Sequence, residues 1–90
     1  MKANVLLDGK TVISDVEVDV YVETRRGLKE WRGSFSVDDP LTLSQDEYQL
    51  ELADGRSGRI LISGRSVTAG SSLMLVRFTG TGPLRTAGEN

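Results

Sequence analysis

The side chains best equipped for chemistry in this chain are five arginines in its second half: Arg56, Arg59, Arg65, Arg77 and Arg85, with no acid between residues 55 and 88. Residues 1 to 54 carry 12 acidic and 6 basic groups. A guanidinium fork binds carboxylate or phosphate through two parallel hydrogen bonds, so such a segment can present an anion-binding face. The same arginines can equally pair with carboxylates of the acidic half, because neighbouring strands of a small β domain come from distant sequence. Arg25, Arg26, Arg56, Arg59 and Arg65 are the candidate anion ligands.

Other chemistry is removed by composition. The 90 residues include no histidine and no cysteine, which excludes disulfides, Cys/His zinc sites, thiol nucleophiles and histidine-based triads within the chain. Ser34, Ser36 and Ser71-Ser72 have no base to activate them. Asp38, Asp39, Asp46 and Glu47 gather four carboxylates around one loop, but the Asp-x-Asp-x-Asp-Gly run of an EF-hand is absent, and Asp before Pro40 is a common loop opener. No metal ligand set, cofactor or catalytic residue is assigned, and the chain is expected not to be an enzyme.

Two further groupings suit nucleic acid or nucleotides. Trp31 lies between Lys29 and Arg32, with Arg25 and Arg26 nearby, and stacking aromatics flanked by cations are common on single-strand binders. Alternation places Trp31 on the valine side, where core packing is its expected job, which leaves Tyr21 as the exposed aromatic. Asp54-Gly55-Arg56-Ser57-Gly58 can form a backbone nest for an anion, or simply a turn. Together, Arg25, Arg26, Lys29 and this loop resemble in kind the barrels that recognise cyclic di-GMP. Those barrels need an Arg-x-x-x-Arg pair close before Asp-x-Ser-x-x-Gly, whereas here the loop begins 25 residues after Lys29. No family is recognised.

The elements that must carry these residues are strands. Val16, Val18, Val20 and Val22 alternate with Glu17, Asp19, Tyr21 and Glu23, a half-buried strand with its valines inward. Asp8-Gly9 predicts a type I′ hairpin joining residues 3–7 to 10–13, after which Ser14-Asp15 bends the chain. Gly27-Leu28 fits a type II′ turn, which sets Val20 opposite Phe35, Val18 opposite Val37, Val22 opposite Gly33 and Thr24 opposite Trp31. It also opposes Glu23 to Arg32 and Arg25 to Glu30, whereas a two-residue slip opposes like charges. Tyr48, Leu50 and Leu52 resume alternation on a strand near 47–53. A three-residue loop after it is expected to bring Leu50 opposite Ile62. Arg59-Ile60-Leu61-Ile62 is apolar on both faces at its centre, as in an interior strand or a subunit contact. Thr68 to Ser72 turns the chain, and Leu73 to Phe78 is the last clear strand before Gly80-Thr81-Gly82-Pro83.

Six or seven short hairpin-connected strands predict an all-β fold, a small antiparallel β-barrel or compact sandwich, with the barrel preferred because closure removes edges. Residues 1–80 form this single domain and 81–90 a flexible C-terminal tail. With no apolar run of membrane-spanning length and no signal segment, cytoplasmic residence is expected. Leu61, Leu73 and Leu75 alternate against the other apolar residues and make the outer face greasy. The leading functional expectation is a non-enzymatic protein-interaction module that binds a protein partner or a second copy of itself through those leucines. The alternative is a small barrel that binds nucleic acid or a nucleotide through the arginines, disfavoured by a pI near 5.0. A carboxylate enzyme at the Asp38–Glu47 loop ranks third.

Overall fold

In the computed structural model, which describes residues 1–38, 43, 45–67, 69–70 and 72–86, the first turn forms as its dipeptide requires. Asp8 and Gly9 both take positive φ, 52° and 81°, and join β1 (Lys2–Leu7) to β2 (Lys10–Arg25) with Leu7 opposite Lys10. These are type I′ angles, whose twist matches that of the flanking strands. Ser14-Asp15 does not end a strand. β2 runs unbroken through it with a register shift, since Ala3 pairs with Val16 but Val5 with Ile13. Asp15 sits at φ 54°, and its N–H donates to Asn4 Oδ1 at 3.1 Å. The bend is a bulge.

The second hairpin corrects the expected register. Arg26 and Gly27, not Gly27 and Leu28, are the central turn residues, with φ of 53° and 79°. Arg25 therefore pairs with Leu28 of β3 (Leu28–Val37), Val18 with Phe35, Val20 with Gly33, Val22 with Trp31 and Glu23 with Glu30. The slip is two residues, which keeps every side chain on its own face, so apolar alternation does not distinguish the two registers. Charge pointed to the other one. A type I′ turn with Gly at its second position outweighs one opposed Glu pair, and Arg32 still reaches Glu23 diagonally at 2.8 Å. Gly33 now lies where a Cβ would run into the Asp19 carbonyl oxygen and come 2.7 Å from the Phe78 ring.

β4 (Glu47–Leu52), β5 (Arg56–Val67), β6 (Met74–Gly80) and a two-residue β7 (Arg85–Thr86) complete the chain. The sheet order is β4-β1-β2-β3-β6-β5-β7, every pairing is antiparallel, and β4 also pairs with β5. Six strands thus close into a barrel, with β7 added along β5. The β4–β5 loop is three residues long but spans Ala53 to Gly55, two positions before the loop that would oppose Leu50 to Ile62, so Leu50 lies opposite Gly58. The apolar match failed because Gly58 serves a different neighbour: a Cβ there would sit 2.6 Å from Trp31 Cζ2.

Alternation becomes burial only where another layer lies behind the face. Val5, Leu50, Ile60, Val76 and Phe78 fill the barrel, and among the described residues no polar or charged one is buried with them. Along β2, Val18 is buried, Val16 and Val20 are half-buried, and Val22 is 51 % exposed. Trp31 closes this end of the core. Its ring rests on Gly80 and Gly58, meets Phe78 edge-on at 6.1 Å, and its Nε1–H donates to the Gly82 carbonyl at 2.7 Å. Leu84, partly buried, packs against the core. Within the segment expected to be a tail, Thr81 N–H donates to Arg59 O at 3.0 Å and β7 pairs with Arg56 and Ser57, so strand pairing continues to Thr86. Residues 87–90 lie outside the described residues.

Candidate functional site

The arginines disperse around the barrel, most of them beside carboxylates. Arg65 approaches Asp46 at 3.6 Å and donates to the carbonyls of Gln45 and Leu43. Arg56 holds Asp54 at 2.8 Å, Arg59 lies 4.0 Å from Glu47, and Arg25 lies 3.8 Å from Glu23. The N–H of Arg56 also donates to Asp54 Oδ1, and this hydrogen bond to the charged form holds the Asp54 carboxyl below its ordinary value. Arg26 and Arg85 form no ion pair among the described residues. Arg26 occupies the tip of the β2–β3 turn. Arg85, outside the set read from sequence, shares an open groove of about 350 Å³ with Arg59, Ser57 and Gly82. These arginines do not assemble into one basic face.

The four carboxylates fare similarly. Asp46 and Glu47 face Arg65 and Arg59, Asp38 is exposed at the end of β3, and Asp39 lies outside the described residues. Among the described residues no cluster of His, Cys, Asp or Glu could hold a metal ion, and no helix is long and apolar enough to cross a membrane.

The three leucines are not one patch. Leu61 is 44 % exposed on β5 opposite Thr79, while Leu75 is half-buried on β6 between Ser36 and Ser66. Four residues of β6 separate these positions, about 13 Å of strand, and the exposed Arg77 stands between them. Leu73, 49 % exposed, lies instead beside Val12, Ile13, Val16 and Val37 along a shallow groove at the other end of the barrel.

What the structure does assemble is a ribbon that outruns the barrel. β1 accompanies β2 only as far as Glu17, and β6 accompanies β3 only from Arg32 onward. Residues 22–25 and 28–31 therefore pair with each other alone, while the outer side of β2 is already without a strand from Asp19, where β3 still pairs with β6. The direction of the backbone groups follows from one bond: Val18 N–H donates to Met1 O at 2.8 Å, on the side of β1. In a strand these groups alternate sides, so the N–H and C=O of Val20, Val22 and Thr24 also point away from β3. They face no strand among the described residues. The ribbon carries exposed apolar side chains, Tyr21 at 57 %, Val22 at 51 % and Leu28 at 68 %. This edge was missed from the sequence. Its signal was the length of β2, 16 residues beside a β1 of six, hidden by reading Ser14-Asp15 as a break.

The geometry defines a closed six-stranded antiparallel barrel with an unclosed two-stranded ribbon. No protein-family model, no curated protein and no solved structure matches the chain.

Proposed function

We propose that this chain is a protein-interaction module without catalytic activity, which takes up an extended strand of a protein partner along the β2 edge of its ribbon. The single observation that carries this reading is the row of outward backbone pairs at Val20, Val22 and Thr24, on a strand whose opposite side is fully laddered to β3. Strand addition draws its affinity from main-chain hydrogen bonds and its selectivity from alternate side chains. Tyr21 and Val22, one on each face, supply such side chains. Where a strand has a neighbour on each side its hydrogen bonds are already used, so a docking strand is taken up only along a free edge such as this one. Nucleic-acid binding is less favoured, because Arg25, Arg56, Arg59 and Arg65 all have a carboxylate within reach.

Selection of displayed peptides against the immobilised chain tests this. Enriched peptides should be extended and alternate apolar with polar residues. Their binding should vanish in Val22→Pro, which deletes an outward N–H, and persist in Arg59→Ser. Peptide binding that survives Val22→Pro, or salt-sensitive binding of single-stranded DNA lost in Arg59→Ser, overturns the reading.

A further inference from the structure

The ribbon edge is complementary to itself, and this inference rests on the strand-docking reading above. We propose that the occupant is a second copy of this chain, paired antiparallel along β2 about a twofold axis through Val22.

The register follows from parity, charge and length together. Edge-pointing residues must oppose edge-pointing residues, so the numbers of opposed residues add to an even value. At a sum of 44, Val22 faces Val22 of the second copy and Val20 faces Thr24, and each of these pairs exchanges both backbone hydrogen bonds. The positions between them then oppose Asp19 to Arg25 and Tyr21 to Glu23, each twice by symmetry. At a sum of 42, Asp19 would face Glu23. At 46, Glu23 would face its own copy. Of these three registers only the central one opposes no like charges, and it sets Asp19 against Arg25; like charges directly opposed are destabilising. Arg25 keeps capacity for this contact, since its side chain is 68 % exposed beside Glu23.

Length agrees independently. Val18, where β1 ends its cover of β2, falls opposite Arg26, where the ribbon turns. The free stretch of one copy is thus as long as the arm of the other, and neither turn nor β1 intrudes. The pairing covers Tyr21 and Val22, two of the most exposed apolar residues of the ribbon. Such an isologous contact closes on itself and does not propagate into a fibre.

Equilibrium sedimentation of the full chain, with cross-linking, tests the proposal. Wild type should show a concentration-dependent monomer–dimer equilibrium, and Val22→Pro should be monomeric with an unchanged β circular-dichroism spectrum. Because the chain has no cysteine, Val22→Cys should form a disulfide-linked dimer under mild oxidation, whereas Thr24→Cys, equally outward, should link only when mixed with Val20→Cys. Asp19→Arg should weaken dimerisation roughly fivefold to tenfold, and adding Arg25→Asp to the same chain should restore it. Asp19 and Arg25 stand six residues apart on one strand, about 20 Å, so restoration has to arise between copies. A strictly monomeric wild type whose selected peptides still require the Val22 N–H overturns self-pairing and leaves strand docking intact. A dimer that persists in Val22→Pro and fails to link through Val22→Cys overturns self-pairing, and selected peptides that still bind Val22→Pro overturn strand docking with it.

Discussion

Barrel and ribbon are built from the same alternating sequence, yet they end in different states. Val18 and Val22 lie four residues apart on one strand and one face. The first is 2 % exposed and the second 51 %. Val18 has the barrel interior behind it and β1 beside it, whereas Val22 lies past the end of both. In the barrel each strand has two neighbours and no buried polar side-chain atom among the described residues lacks a partner. On the ribbon one side of β2 offers its hydrogen bonds to solvent. Alternation assigns a residue to a face, and tertiary closure decides whether that face is a core.

The largest contrast comes from a buried charge. Val76→Asp should unfold the domain, because an unpaired charge in a fully enclosed site costs several kcal/mol, comparable with the whole stability of a small domain. Val22→Asp should leave the thermal midpoint nearly unchanged. Circular-dichroism melts of the two variants should differ sharply, and equal losses would show that Val22 is as enclosed as Val76.

Proline reports the direction of each N–H. Tyr21 donates toward β3 and Val22 away from it, so Tyr21→Pro should cost about 3 kcal/mol or more while Val22→Pro costs under about 1 kcal/mol. Equal losses in urea titrations would show that the edge is occupied.

Glycine substitutions separate two causes in the two regions. Gly80→Ala would drive a Cβ into the Trp31 indole that closes the barrel, an overpacking cost of about 1–3 kcal/mol. Gly27→Ala meets nothing within 4 Å, but keeps φ 79° at the ribbon turn, a conformation worth about 1 kcal/mol against alanine. Trp31 fluorescence should shift in the first variant and stay constant in the second.

Smaller still is the diagonal pair on the ribbon. A double-mutant cycle of Glu23→Gln and Arg32→Gln should give a coupling of a few tenths to about 1 kcal/mol. At the β4–β5 loop, Asp54 has its carboxyl held below the ordinary value chiefly by the Arg56 N–H. A depressed carboxyl contributes stability above its unfolded-state value and loses it as pH falls through the folded one. The gap in midpoint between wild type and Asp54→Asn should accordingly be greatest near neutrality and close on acidification.

The fold class was legible in the amino-acid sequence, because period-two alternation and Asp-Gly turns act over neighbouring residues; the sequence also carried several local placements. It placed Asp8-Gly9 in a type I′ turn, Tyr48, Leu50 and Leu52 inward, and Met74, Val76 and Phe78 on one buried face. It also pointed to Trp31 as core and Tyr21 as exposed. Register was decided elsewhere. A slip of two residues changes no face, so the choice passed to the Arg26-Gly27 turn, and Leu50 found Gly58 opposite because the indole of a distant strand needed the space. Leu61, Leu73 and Leu75 share an alternation and nothing in it records that Arg77 stands between two of them. The free edge is the clearest case. Each strand's length is local, but an edge is the difference between one strand and its neighbours: β1 and β3 reach β2 through local hairpins, whereas β3 meets β6 and β1 meets β4 only through long-range closure of the barrel, which sets where cover ends.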